Sequence, residues 1–385
     1  MAQALVTPEI LKWARMRAGL PLDELAKKVG SSSDVVAAWE AGESRPTFRQ
    51  AEKFAQATYV PFGYLFLSKP PKEDVSIPDL RTTAGTRPLE VLDVNFMDAL
   101  RDVQFKLDWY RDYRIDHGHG KLPFVGRFDR SAKPAEVAED MRRTLGVGPS
   151  EREQAHTWED YFRLLIARAE AVGIWVMRNS VVGNTKRPLS VDVFRGFAIS
   201  DPIVPVIFVN SRDAKAAQVF TFAHELAHVW LGESGISDSF RTSRLKIERL
   251  CNAAAAEFLV PEAEFKKTWD RDSGIEENVG DLSKRFRVSR IVIAIRARDL
   301  GLIRQSEFDA FFDAERQRWS QERADPKSGG NSYRTAKVRN GGGFLTAVLA
   351  SAMSGDLLLR NAGALLSMTP KTLLEAYRRL QTGQL

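Results

Sequence analysis

The 385-residue chain has a single cysteine, Cys251, and only five histidines. One cysteine excludes an internal disulfide framework and fits a reducing compartment. Long apolar runs are missing too. IVPVIFV (203–209) and FLTAVLASAM (344–353) are the longest, and both fall short of the ~20 residues that a membrane-spanning helix needs. The first twenty residues, MAQALVTPEILKWARMRAGL, lack a basic segment followed by an apolar core, so no signal peptide is read there. These absences predict a cytoplasmic protein with no membrane association. A hydrophobic fraction of 44% with 28% charged residues describes a globular chain long enough for two or three cores. The net charge of +6 is unevenly spread. Residues 1–68 hold eight Lys/Arg against seven Asp/Glu, whereas residues 284–340 hold fourteen against seven. Any electrostatic attraction to nucleic acid is therefore expected from the later segment, unless that excess is only a solvated helical surface and a basic linker.

Punctuation residues divide the chain into five parts: 1–68, 69–157, 158–322, 323–343 and 344–385. The first reads as a compact helical module, with Pro21 opening a second helix, Gly30 and Gly42 closing the second and third, and Thr47 with Gln50 forming a capping box. A Pro- and charge-rich connector, SKPPKEDVSIPDLRTTAGTRP, follows and leads into a mostly helical region. From Trp158 onward the pattern predicts a helix, extended runs at 173–177, 191–200 and 203–209, and then helices over about 212–231 and 244–260. Strands followed by helices that carry polar residues indicate an α+β domain. The stretch 323–343 is expected to be a flexible linker, and 344–385 a small helical unit.

The segment TFAHELAHVW (221–230) carries the chemistry. His224 and His228, four residues apart, project from one face of a helix and can reach one metal ion. Glu225 is placed to take a proton from water rather than to bind the metal. Phe220, Phe222, Ala223, Leu226, Ala227, Val229 and Trp230 make the helix apolar on nearly every side, and burying three ionisable groups there without a partner is costly. A chance match to this pattern is expected only about 0.004 times in such a chain. The remaining alternative is a helix that once bound metal and no longer catalyses.

A catalytic zinc ordinarily has three protein ligands and one open position. The candidate for the third is Glu257, the one charge in the apolar run of CNAAAAEFLVP (251–261). The competing reading of Glu257 is a buried ion pair with an arginine. Cys251, six residues earlier and about 120° away around the helix, is expected to be a small apolar filler outside the site. His117, His119 and His156 read as surface residues, and Asn210 and Asn252 as either second-layer groups behind the ligands or structural caps.

GLPLDELAKKVG, SSDVVAAWEAGESRPTFRQAEKFA and their spacing resemble the helix-turn-helix of the xenobiotic-response-element type found in bacterial and phage repressors. RDAKAAQVFTFAHELAHVWLGESGIS together with CNAAAAEFLVP resembles the ImmA/IrrE family of metallopeptidases. The resemblances imply a mostly helical α+β chain. Its parts would be an all-α helix-turn-helix domain, a central zincin-like peptidase domain with a small sheet, and a helical tail. They further imply zinc, with manganese as an alternative, held by His224, His228 and Glu257, and Glu225 as general base. The implied activity is cleavage of a cognate regulatory protein, a DNA-binding repressor, in a stress response or a toxin–antitoxin-like circuit with a toxin-like partner encoded nearby. The alternative is a DNA-binding regulator or antitoxin whose metal domain senses without cutting.

For DNA contact the first module offers Lys27, Ser32, Ser33 and Arg45. The exposed start of its third helix also presents Asp34, Ala37 and Ala38, which carry no hydrogen-bonding code for bases and one charge repelled by phosphate. Docking of a partner protein is the rival use. A second helix-turn-helix-like stretch, 279–303, has Ile291, Val292, Ile293 and Ile295 and reads as core; Arg290, Arg296 and Arg298 would face nucleic acid otherwise. The oligomeric state is not legible.

Overall fold

The computed structural model describes residues 2–71, 93–183, 187–237, 246–322 and 332–383. The chain forms two compact units, with the division falling after Arg101 inside helix Val94–Asp116.

The first unit is all-helical: Pro8–Arg17, Leu22–Val29, Ser33–Ala41, Phe48–Thr58 and a 3-10 turn Phe62–Phe66. Its core gathers Leu11, Leu25, Val36, Trp39, Phe54 and Leu65, the apolar stripes of the five elements. Gly30 and Gly42 adopt left-handed backbone at φ 74° and 78° and end their helices as expected. The capping box of Thr47 and Gln50 is formed, with Thr47 Oγ1 accepting from the Gln50 amide and Gln50 Oε1 accepting from the Thr47 amide.

In the second unit a four-stranded sheet has the order β1-β3-β2-β4, with β1 Trp175–Asn179, β2 Gly196–Ile199, β3 Val206–Asn210 and β4 Gly235–Ser237. β1 runs parallel to β3, and β2 runs antiparallel to both β3 and β4. β3 is buried on both faces, which explains its unbroken apolar sequence. Ile207 and Val209 share a core with Ala223, Leu226 and Ala227 of helix Lys215–Trp230. On the opposite face Phe208 stacks on Phe197 at 4.8 Å. Of the extended run expected over 191–200, only Gly196–Ile199 is strand; residues 191–193 form a turn.

Two boundaries differ from the sequence reading. Helix Pro134–Leu145, expected in a separate connector region, supplies Val137, Ala138, Met141 and Leu145 to the same core as helices Lys215–Trp230 and Lys246–Leu259. The cause is a set of side-chain ties: Trp230 Nε1 donates to Asp140 at 3.0 Å, and Arg142 donates to the carbonyl of Glu257 at 2.7 Å. The expected linker 323–343 is also revised. Its first part lies outside the described residues, but Ser332–Asn340 is a helix and the next helix begins at Gly342. Trp175 Nε1 donates to the Asn340 carbonyl at 2.6 Å, Glu170 accepts from the Gly342 amide at 2.7 Å, and Phe344 stacks on Trp175 at 4.7 Å. Gly341 has φ 78°, and a Cβ there would lie 2.7 Å from the Trp175 ring. Close approach, rather than flexibility, is what these glycines supply. No helix among the described residues is long and apolar enough to cross a membrane.

Candidate metal centre

Helix Lys215–Trp230 lies between the sheet and helix Lys246–Leu259. Its C-terminal carbonyls are satisfied by a neighbouring loop: the Gly126 amide donates to Val229 at 3.0 Å and the Phe128 amide to Trp230 at 3.1 Å. Phe124 stacks on Trp230 at 4.6 Å. The helix is thus pinned at the end that carries the histidines.

His224 and His228 are buried, with their Nε2 atoms 3.1 Å apart. The carboxylate beside them is Glu248, in the first turn of the next helix, and not Glu257. Glu248 Oε2 lies 3.2 Å from His224 Nε2, and its Oε1 lies 3.3 Å from His228 Nε2. Glu257 is nine residues further along, half a turn round the helix by its 3.6-residue period. Its carboxylate forms an ion pair with Arg296 and accepts the Glu262 amide at 3.2 Å. The expectation for the third ligand is therefore corrected. The apolar setting of Glu257 is compensated by an arginine, and the helical phase that turns Glu257 away is the one that turns Glu248 in.

Asn252, four residues after Glu248, accepts from His224 Nδ1 at 2.9 Å. A proton on Nδ1 leaves the Nε2 lone pair facing His228 and Glu248. Among the described residues His228 Nδ1 has no hydrogen-bond partner. Burial alone would depress the basicity of His224, but Glu248 as hydrogen-bond partner and the charges of Glu225 and Glu248 outweigh it and raise its pKa. Burial opposes ionisation of Glu248, yet the two histidines hold its carboxyl far below the ordinary range. The cluster thus favours a positive charge at its centre. Zinc bonds of about 2.0–2.2 Å place neighbouring tetrahedral ligand atoms about 3.3–3.5 Å apart; the two Nε2 atoms stand 3.1 Å apart, with one Glu248 oxygen beside each, Oε2 at 3.2 Å from His224 and Oε1 at 3.3 Å from His228, a spacing compatible with an ion held among them. His224, His228 and Glu248 can hold it.

Two glycines make room for the groups behind this cluster. A Cβ on Gly196 of β2 would fall 2.9 Å from Glu225 Oε1 and 2.6 Å from Thr221 Cγ2, so the fully buried Glu225 occupies space that a side chain would take. A Cβ on Gly235 of β4 would fall 2.9 Å from His228 Cε1.

Residues 169–298, which contain all of these groups, match the IrrE N-terminal-like domain of a peptidase family. Residues 11–65 match a helix-turn-helix family, and 340–379 match a domain family of unknown function. The chain is also 38% identical over 96 residues to the radiation response metalloprotease IrrE of Deinococcus radiodurans. That match covers 23% of this chain and 29% of the relative. The chain thus carries a domain similar to the IrrE-type peptidases at 169–298, preceded by one similar to a helix-turn-helix at 11–65.

Other expected residues fall on both sides of the prediction. Cys251, placed outside the site when measured against Glu257, is three residues from Glu248, and its sulfur lies within 4.8 Å of a nitrogen of each histidine. Its thiol pKa is pushed well up by burial and by the charges of Glu248 and Glu225. Asn210 is a structural cap: its side chain donates to the Phe194 carbonyl at 3.1 Å and accepts the Arg212 amide at 3.1 Å. His117, His119 and His156 are exposed, as read from the sequence. In the helix-turn-helix Lys27 and Arg45 are exposed and Ser33 is half-buried. Ser32 is exposed, and its hydroxyl caps its own helix by accepting the Val35 amide at 3.4 Å. Arg290, Arg296 and Arg298 of the 279–303 stretch are engaged within the peptidase unit by Glu315, Glu257 and Asp299.

Proposed function

We propose that the protein is a zinc-dependent endopeptidase that cleaves a regulatory protein, its natural substrate being a DNA-binding repressor. The observation that carries this reading is the cluster of His224 and His228 with the Glu248 carboxylate, one oxygen beside each imidazole, and Glu225 on the helix of the two histidines. Zinc held by these three residues supplies a Lewis acid for a peptide carbonyl and makes water more acidic. Asn252 fixes the His224 ring and its tautomer, so that Nε2 is available. Glu225 receives a proton from the attacking water and delivers it to the leaving amine. Its burial beneath β2 keeps bulk water away from the carboxylate. Replacement of this base by an amide separates binding from chemistry.

Metal content and cleavage are the two readouts. Glu225→Gln is expected to retain about one zinc per chain and to lose cleavage of the regulator, the latter found by comparing protein termini in cells with and without the active protein. A Glu225→Gln variant that cleaves normally would refute proteolysis through this residue. A protein that takes up no metal would shift the reading to a regulator that acts by binding alone. The cytoplasm, where a repressor would be met, is the proposed location. The triggering stress and a toxin-like partner remain part of the proposal through the family likeness.

A further inference from the structure

Among the described residues three helix pairs share one connector in which a hydroxyl caps the second helix; a fourth, Pro134–Leu145 with Pro149–Gln154, has the same turn and burial pattern with Gly148 in place of the hydroxyl residue. Helix Leu22–Val29 ends on Gly30 in left-handed backbone (φ 74°), one residue follows, and Ser32 caps Ser33–Ala41. Helix Ile275–Phe286 ends on Arg287 (φ 54°), followed by one residue and the Ser289 cap of Arg290–Asp299. Helix Leu359–Leu366 ends on Ser367 (φ 53°), followed by Met368 and the Thr369 cap of Pro370–Gln381. In each of these three pairs the cap hydroxyl accepts the amide three residues on. The burial pattern repeats as well. Counted from the left-handed residue, the fifth and first before it and the sixth and ninth after it are buried in all three. These are Leu25, Val29, Val36 and Trp39 in the first pair, and Leu282, Phe286, Ile293 and Arg296 in the second. In the tail they are Ala362, Leu366, Leu373 and Ala376. Two helices joined by such a turn form the helix-turn-helix unit, whose second helix enters the major groove of DNA.

The three pairs present different surfaces. The middle one is core, with its arginines engaged as described above. The first shows Asp34 and Val35 on its second helix, over a module of almost balanced charge. The tail differs from both: residues 332–383 carry seven Lys/Arg against two Asp/Glu. Lys371 and Arg378 are exposed on its second helix, seven residues apart and so on one face, with the half-exposed apolar Leu374 between them. Arg378, 77% exposed, has among the described residues one ion-pair partner, Glu375, at 3.8 Å. Arg360 and Asn361 are exposed at the start of the first helix, the place from which such a unit contacts the phosphate backbone.

We propose that the C-terminal helix pair 359–381 is a second helix-turn-helix that binds double-stranded DNA. Its second helix lies in the major groove, Lys371 and Arg378 contact phosphates or base edges, and Arg360 holds the backbone. This reading does not depend on proteolysis. The test uses the full-length protein and a labelled random-sequence duplex, with binding followed by fluorescence anisotropy over a range of salt. Lys371→Glu with Arg378→Glu is expected to weaken binding at least about tenfold and to reduce the slope of log affinity against log salt by about 2, since each lost phosphate contact removes about 0.9. Lys371→Gln with Arg378→Gln, which perturbs folding less, should give the same direction. Lys27→Glu with Arg45→Glu in the first module should change affinity less than the tail pair. Three outcomes overturn the proposal: no binding by the unaltered protein at low salt, unchanged affinity in both tail variants, or a loss that follows the first module instead. A tail variant that changes only the oligomeric state would assign this face, with Leu358 and Leu374, to a second copy of the chain.

Discussion

Exchange of Glu248 for Gln, set beside the same exchange at Glu257, distinguishes two carboxylates on one helix that the sequence alone does not separate. Glu248 oxygens stand 3.2 and 3.3 Å from the two imidazole nitrogens. At an effective dielectric constant of about 20, a carboxylate charge within about 3.3 Å of a unit positive charge held beside those nitrogens interacts with it by about 5 kcal/mol. Loss of a buried carboxylate also returns part of its own desolvation cost, itself several kcal/mol. We expect a net loss of about 2–3 kcal/mol in binding a divalent cation, or roughly 30- to 150-fold in affinity. Glu257→Gln has a different effect. It leaves Arg296, a buried cation, with the Val260 carbonyl at 3.0 Å but without its carboxylate. Breaking a buried pair of this kind costs about 3–5 kcal/mol of folding stability, while Arg142, still bound to the backbone carbonyl of residue 257, keeps the helix in register and metal affinity within about threefold of the starting protein. The assay is competition against a chelator of known affinity, paired with thermal unfolding of the same samples. If Glu257→Gln lost the metal and Glu248→Gln kept it, the assignment of the third ligand would be wrong.

Smaller changes probe the supports of the site. Asn252→Ala removes the acceptor that orients His224 and should weaken metal binding about 10- to 100-fold, read by the same competition. Gly196→Ala puts a methyl group 2.6 Å from Thr221 and 2.9 Å from Glu225. It should cost about 1–3 kcal/mol of stability and reduce cleavage more than metal content, as measured by parallel unfolding and turnover assays. Gly341→Ala forces both a left-handed alanine and a contact of 2.7 Å with Trp175. Hydrogen exchange should then rise in helix Gly342–Ser354 while the metal stays bound. Removal of the ion with a chelator should lower the unfolding temperature, because an ion at 1,000 times its dissociation constant adds about 4 kcal/mol to the folded state.

Local pattern made the histidine helix, the strands before it and the helix-turn-helix legible, since each rests on periodicity and capping residues within one element. The third carboxylate was not legible, for a reason that can be stated. Glu257 stands out because its neighbours are alanine and phenylalanine, whereas Glu248 sits in KIERLCN among charges that resemble an ordinary surface turn. Which of the two faces the histidines depends on the rotation of one helix against another. The spacing of Glu248 and Asn252, four residues apart and able to reach one imidazole from two sides, was the available signal. Composition also misplaced the glycines at 341–343: a run of glycine reads as a linker, but here it admits the backbone against Trp175 and Glu170. Likewise, helix Pro134–Leu145 was visible as a helix, but its membership of the peptidase core rests on Asp140 and Arg142 meeting residues about a hundred positions away.

The contacts at Glu257 also set the register of the centre. Arg142 grips the carbonyl of Glu257 and Arg296 grips its carboxylate together with the Val260 carbonyl, so the last turn of helix Lys246–Leu259 is held like the fixed end of a spindle. Glu248 rides on the other end, nine residues and about 13.5 Å away. A slip of one residue would carry its carboxylate through about 100° and out of reach of both histidines. Two arginines at the far end of the helix thus keep time for the carboxylate that faces the two histidines.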